Sequence, residues 1–281
     1  MTRILIFLAC WKRPEITEVC FAGIQRLKAY DPDRFRVEAL AVISEESMIP
    51  LCDRYGIAWT MSENRPVGRK KNNGLNEAFK YEWDYLLEMG SDDLLRNEVL
   101  EVYEPYFKRG TPLMGMTRLI FMDSASGEAR EYENAAVFGM GRAMSREMLQ
   151  RVTFGVECEI VEGFITGQTV AIGGTRQFIR ADRVPKLGRL VKPIDEPSYH
   201  LWGDILNQGL DNNSNFFMME NGVPLSHIPT SESLGMDIKG EENIWPFNPE
   251  LGRAYDVNDF LKHVSVQERE LLERVTSKVY V

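Results

Sequence analysis

Apolar runs and helical stripes alternate through the first 95 residues, and this alternation constrains the fold more than any other feature. Arg3 to Ala9 is a continuous apolar run, as expected of a strand covered on both faces. Pro14 then stands where a helix can begin, and Ile16, Val19, Cys20, Gly23, Ile24 and Leu27 fall on one helical stripe. Tyr30-Asp31-Pro32-Asp33 breaks that stripe. The pattern repeats with a strand over Arg36–Ile43, a helix over Met48–Tyr55 and a short strand over Ile57–Met61. A helix over Asn72–Lys80 and a strand over Trp83–Met89 follow, the strand running into Gly90-Ser91-Asp92-Asp93. Strands that alternate with helices predict a mostly parallel α/β sheet, which binds ligands beyond the C-terminal ends of its strands.

The remainder is less regular. Leu113–Met122 and Ala136–Gly141 read as strands, and Ser145–Val152 as a helix. Gly155–Tyr199 is rich in glycine and β-type residues, with no clear helix. Asn207–Gly222 returns to helical spacing, Pro224–Ile228 is a short strand, and Val257–Tyr280 predicts one or two surface helices.

At 281 residues with 44% hydrophobic and 27% charged side chains, the chain is long enough to bury a sizeable core and too apolar to be disordered. The net charge of −9 excludes a generic polyanion binder, so any nucleic-acid contact needs a local basic patch. The longest apolar run, Ile4 to Trp11, is far shorter than the roughly 20 residues of a membrane helix. No small-residue cleavage site follows it, so neither a membrane span nor a signal peptide is expected. Cys10, Cys20, Cys52 and Cys158 are scattered and form no CxxC pair, which argues against structural zinc and for reduced thiols in a cytoplasm.

Three segments carry candidate chemistry. Ser91-Asp92-Asp93 places two carboxylates at a strand end, where they suit a hard divalent cation or, alternatively, a helix cap. Gly68-Arg69-Lys70-Lys71-Asn72-Asn73-Gly74 puts three cations before a helix, as a phosphate requires or as a solvated loop tolerates. It lacks the spacing of a P-loop. Asp211, in Leu210-Asp211-Asn212-Asn213-Ser214, is placed either as a general base or as an N-cap. Of His200, His227 and His263, His227 follows a short strand and is a candidate to complete a metal site. No GxSxG or Cys-His signature supports a hydrolase.

In this order the segments resemble glycosyltransferases of the GT-A fold, similar to the family-2 type, over roughly residues 3 to 230. Leu8 to Pro14 (with Ala9, Cys10, Trp11 and Arg13) resembles the first strand and its turn toward the nucleotide base. Ile43 to Ser47 resembles the end of the second strand, with Ser44 where the family has Asp, followed by Glu45. Gly68 to Ala78 resembles the segment in which Lys71 matches an Arg and Asn72 an Asn. Trp83 to Leu94 resembles the strand ending in the DxD motif, with Gly90 replacing its first acid. Phe138 to Arg146 resembles the glycine-containing strand and helix near donor sugar and acceptor, and Leu210-Asp211 resembles the "E-D" pair without its Glu. The nearest flavour is the glycosyltransferases carried by tailed phages, some of which act on hydroxymethylated pyrimidines in DNA.

The resemblance implies one GT-A (Rossmann-like) α/β domain with an acceptor-side α+β half and C-terminal helices. Residues 1–124 would bind the nucleotide sugar. Residues 125–235, with a basic segment inserted at 155–199, would bind the acceptor, and 236–281 would form a helical tail. It implies a UDP-sugar donor and Mn²⁺ or Mg²⁺ on Asp93, Asp92 and His227. Nucleotide contacts would come from Ala9, Cys10, Trp11, Arg13, Ser44, Glu45, Arg69, Lys71, Asn72 and Asp92. Asp211 would be the catalytic base of an inverting transfer. Gly141, Arg142, Trp202, Arg180 and Arg183 would serve the acceptor, with double-stranded DNA as one candidate; Gly173–Pro193 carries six basic residues against Asp182. A polysaccharide or small-molecule acceptor, a non-catalytic sugar or nucleic-acid binding module, and a nucleotidyltransferase are the alternatives. The last usually has an N-terminal glycine-rich loop, and Ala9 to Pro14 holds no glycine.

Overall fold

The computed structural model describes residues 1–134, 137–161, 169–172, 175–178, 187–195, 198–240, 243 and 246–276. The apolar run forms β1 (Thr2–Cys10), and the stripe after it forms α1 (Pro14–Ala29). Then come β2 (Phe35–Ile43), α2 (Ile49–Arg54), β3 (Ala58–Met61), α3 (Val67–Ala78) and β4 (Tyr85–Gly90). β1 pairs in parallel with β2 and β4, and β2 with β3. Side chains of β1 alternate between two cores. Ile4, Ile6 and Leu8 face the helix layer that includes α1, whereas Leu5 and Phe7 face α3 and Trp202. A strand covered on both faces cannot show a polar alternation, and β1 is accordingly apolar from Ile4 to Cys10.

The chain next forms β5 (Asp93–Leu95), α4 (Glu98–Lys108), β6 (Leu113–Met116), β7 (Arg118–Asp123) and β8 (Ala129–Glu133). β9 (Arg142–Ser145) and α5 (Arg146–Thr153) follow, then β10 (Val156–Val161), β11 (Thr169–Ile172), β12 (Thr175–Phe178) and β13 (Leu187–Pro193). The last elements are α6 (Leu210–Glu220), β14 (Leu225–Ile228), β15 (Gly235–Lys239), β16 (Arg253–Ala254), α7 (Val257–Leu261) and α8 (Val266–Thr276). The main sheet has seven strands in the order β14-β6-β9-β4-β1-β2-β3, and β9 runs antiparallel to both neighbours. A second sheet, β16-β8-β7-β15-β5, stands beyond β4, while β10–β13 and β11–β12 pair separately. Among the described residues no helix is long and apolar enough to cross a membrane.

Four expectations are corrected. The basic segment 68–74 is not a loop before a helix but the first two turns of α3. Its opening N–H groups are satisfied from far along the chain: Val67 N donates to Asn207 Oδ1 (3.2 Å) and Gly68 N to Leu206 O (2.8 Å). Glycine and asparagine are weak helix formers, so only this tertiary capping extends the helix so far back. Ser91-Asp92-Asp93 caps no helix; Asp93 opens β5. The run 113–122 divides at Thr117 into β6 and β7, which belong to different sheets. Residues 137–141 are not a strand, which begins only at Arg142.

Candidate functional site

A cavity of about 750 Å³ opens beyond the ends of β1 and β4, lined by Trp11 and Arg13 on one side and Gly90 to Asp93 on the other. Ligand pockets of parallel sheets lie at such strand ends. β15 runs antiparallel to β5, and their register sets Asp237 opposite Asp93. Asp92, Asp93 and Asp237 can each offer a carboxylate oxygen within 4.8 Å of the others.

The trio is crowded. A Cβ on Gly90 would lie 2.5 Å from Asp92 Oδ1, so the glycine in the first position of the motif makes room for the two acids behind it. Asp93 Oδ2 accepts the Gly90 N–H. Asp92 Oδ2 accepts from Arg13 Nη1 (3.0 Å) and Asn243 Nδ2 (2.6 Å). Asp237 Oδ2 lies 2.5 Å from Lys239 Nζ, and its Oδ1 is buried with no hydrogen-bond partner among the described residues. Burial, with the neighbouring charges of Asp237 and Asp92, drives the Asp93 carboxyl well above the usual carboxylate range. Burial also raises Asp237 to about 6, against the pull of Lys239. Hard oxygens in mutual repulsion, one of them orphaned, fit a small hard divalent cation such as Mg²⁺ or Mn²⁺.

α3 brings two cations, Lys70 and Lys71, to the same cavity. Lys70 is buried, and its Nζ donates to Cys10 O (2.5 Å) and Asn64 Oδ1 (3.2 Å). Burial pulls its ammonium down to about 8. Lys71 pairs with Glu88, a buried carboxylate on β4, and lies 5.0 Å over the Trp202 ring. Directly across from Glu88 on β9 is Arg142, whose fully buried guanidinium meets Glu88 Oε2 at 2.5 Å. Burial works against the charge on Glu88, but Arg142 and Lys71 outweigh it and hold the group below its ordinary value.

Arg142 also supports the opposite end of the pocket. Its Nη1 donates to Asp211 O (3.1 Å) and Asn215 Oδ1 (2.7 Å), and its Nη2 lies 3.9 Å from Asp211 Oδ1. Asp211 is the second residue of α6; the capping position belongs to Gly209, and no side chain caps the helix. The Asp211 side chain is 46% exposed and lines the same cavity. A Cβ on Gly139 would fall 2.4 Å from Asp211 Oδ2, so only glycine leaves the carboxylate its place.

No family model matches the chain, and no curated protein matches it. Among solved structures it is similar to S. aureus TarS 1–349 in complex with UDP-GlcNAc. There the identity is 13%, the match covers 98% of this chain and 71% of the other, and the TM-score is 0.42. A mannosyltransferase from Pyrobaculum calidifontis in complex with GDP-Man and Mn²⁺ matches at 15% identity over 53% of this chain and 46% of its own, with a TM-score of 0.38. Glucosyl-3-phosphoglycerate synthase from Mycobacterium tuberculosis, in complex with Mn²⁺, UDP and phosphoglyceric acid, matches at 15% over 55% and 59%, with a TM-score of 0.39. The chain spans about half the length of these last two proteins.

The pocket gathers Ala9, Trp11, Arg13, Lys71, Asp92, Asp93 and Asp211 from the residues expected at a site. Others fall elsewhere. Cys10 is buried and offers only its carbonyl, to Lys70. Ser44 Oγ is buried without a partner among the described residues, and neither it nor Glu45 lines the cavity. Arg69 turns away on α3 while Lys70 and Lys71 face in. Asn72 clamps the 201–204 segment, accepting from Leu201 N (2.9 Å) and Trp202 N (3.1 Å). Trp202 is fully buried and stacked on Phe7 at 5.8 Å. Gly141 and Arg142 lie behind the wall that Gly139 and Met140 present. His227 sits on β14 at the far edge of the main sheet, separated from β4 by β6 and β9, and does not join the carboxylate trio. Arg180 and Arg183 lie outside the described residues.

Glu88, Asp237, Lys239 and Asn243 line the pocket and escape the sequence reading. Two left a signal. Met236-Asp237-Ile238-Lys239 alternates apolar and charged residues, as in a strand with two charges on one face. Glu88 is a lone charge in an apolar strand, and a buried charge needs a partner.

Proposed function

We propose that the protein is a metal-dependent glycosyltransferase that moves a sugar from a nucleoside diphosphate sugar, with UDP as the favoured carrier, to an acceptor hydroxyl. One observation carries this reading: a buried carboxylate trio, the cations Arg13, Lys70 and Lys71, and a half-exposed carboxylate backed by a buried arginine all open into one cavity. Asp92, Asp93 and Asp237 would hold a divalent ion, which neutralises charge on the diphosphate. Arg13 and Lys71 add positive charge where the leaving group separates. Trp11 offers an aromatic face to the base. Asp211 takes the proton of the acceptor hydroxyl as its oxygen attacks the anomeric carbon, which yields inversion. Calorimetry with UDP and Mn²⁺, with and without chelator, tests the reading. Binding that needs the ion and is lost in Asp93→Ala supports it; binding indifferent to both rejects it.

Within this reading we propose duplex DNA carrying hydroxymethylated pyrimidines as the acceptor. The support is the sequence of 173–193, with six basic residues against Asp182, since a phosphate backbone demands such a patch on an acidic protein. A gel shift at low salt with modified and unmodified duplex tests it. No shift, or one insensitive to charge reversal of Arg180 and Arg183, rejects it in favour of a polysaccharide or small-molecule acceptor.

A further inference from the structure

The carboxylate trio already carries its own cations. Asp237 Oδ2 meets Lys239 Nζ at 2.5 Å, and Asp92 Oδ2 meets Arg13 Nη1 at 3.0 Å. Neither is a loose surface charge. The Lys239 side chain is only 9% exposed and its Nζ stands 5.1 Å over the Phe121 ring. Arg13 donates to Asn243 Oδ1 (2.7 Å), and Asn243 donates in turn to the same Asp92 oxygen (2.6 Å). Arg13 also holds a left-handed backbone (φ 51°) that a non-glycine residue rarely adopts, and this places it at the start of α1 with its guanidinium at the trio. Two positive groups therefore stand on one oxygen each of Asp237 and Asp92, beside the carboxylates that would hold a divalent ion, and in a buried setting like charges so near one another repel.

We propose that Lys239 and Arg13 are resident counter-cations, so that the divalent ion and the nucleoside diphosphate bind as an interdependent pair. The inference rests on the metal–nucleotide reading of the pocket. Asp92, Asp93 and Asp237 would hold the ion against the repulsion of Lys239 and Arg13. Those two side chains would turn their charge to the diphosphate oxygens, so that each ligand would lessen the obstacle to the other. Linkage makes this coupling reciprocal: UDP tightens Mn²⁺ by the factor by which Mn²⁺ tightens UDP. Lys239 and Arg13 set the size of that factor. They do not themselves ligate the ion.

The test is Mn²⁺ binding followed by the electron paramagnetic resonance signal of the free ion, with and without saturating UDP. The intact chain is compared with Lys239→Met and Arg13→Gln, and thermal melts establish that each variant is folded. The intact chain is expected to bind Mn²⁺ at least tenfold more tightly with UDP than alone. Lys239→Met is expected to bind Mn²⁺ alone about tenfold more tightly than the intact chain, with a smaller gain from UDP. Arg13→Gln, at a less buried position, shifts both quantities the same way and carries the test if Lys239→Met does not fold. Equal or weaker binding of Mn²⁺ alone by the folded variants overturns the proposal, as does an intact chain that gains nothing from UDP. An intact chain that binds Mn²⁺ neither alone nor with UDP overturns the metal–nucleotide reading itself.

Discussion

The two acidic features of the pocket are built in opposite ways. Asp93 and Asp237 are buried close together with Asp92, and burial and mutual charge oppose their ionisation. Asp211 stands half in solvent with a buried guanidinium behind it. The first arrangement holds Lys239 and Arg13 against two of its three carboxylates and leaves Asp93 with a backbone N–H. The second rests on Arg142, which Glu88 holds in place from β4. On the function proposed above, the two constructions would suit different tasks: charge neutralisation for the trio, proton transfer for Asp211.

The strongest challenge to this contrast is Asp211→Asn. It should lower turnover of donor and acceptor by about 10³-fold or more while leaving Mn²⁺-dependent UDP affinity unchanged, since loss of a general base costs in that range. Parallel loss of nucleotide affinity would merge the two tasks. Next, Arg142→Met removes the cation from a buried pair and leaves Glu88 with Lys71 alone. Breaking such pairs costs about 3–5 kcal/mol, so urea unfolding should show a loss of that order. A loss below about 1 kcal/mol would mean that the Glu88–Arg142 pair does little to hold the wall behind Asp211. Asp237→Asn should then weaken UDP binding in Mn²⁺ by about 10–100-fold yet leave UDP binding in chelator unaltered. Equal effects in both buffers would remove Asp237 from the trio's task.

The smallest effect is on stability against pH in chelator. Asp93 and Asp237 have folded values above the unfolded 3.8, so between about pH 4 and 6 the folded protein holds protons that the unfolded chain has released. The Asp237 contribution is therefore greatest in acid and is lost as pH rises through about 6, and Asp93 acts in the same direction. Asp237→Asn should flatten this decline, raising Tm at pH 7 by a few degrees relative to the parent, on a scale of roughly 2–4 °C per kcal/mol for a chain of this size. Glu88, held below its ordinary value, works in the opposite direction, and its contribution disappears only toward lower pH. A Tm difference independent of pH would show that the trio carries no strain from charge.

The same contrast marks what could be read from the sequence. The parallel block was legible because β1 and the second half of β2 are buried on both faces and α1 shows one clean stripe. Asp92 and Asp93 were legible because they directly follow such a strand, and Asp211 because it opens a helix. Asp237 was not, for its meaning lies in a register between β5 and β15, two short strands far apart in sequence. The start of α3 was hidden for a related reason: its capping groups come from residues 206 and 207. Arg142 and Asn72 were noticed but misassigned, because a polar residue that stabilises the wall behind a pocket has the same letters as one that lines it.

The late arrival of β15 bears on how the molecule comes into being. While a ribosome is still producing residues short of 235, the emerged portion contains the paired acids of the β4–β5 junction but nothing to set opposite Asp93. Any ion capture at that junction would wait for β15 to emerge, and a chain truncated just upstream would keep β1 to β4 while losing the carboxylate opposite Asp93.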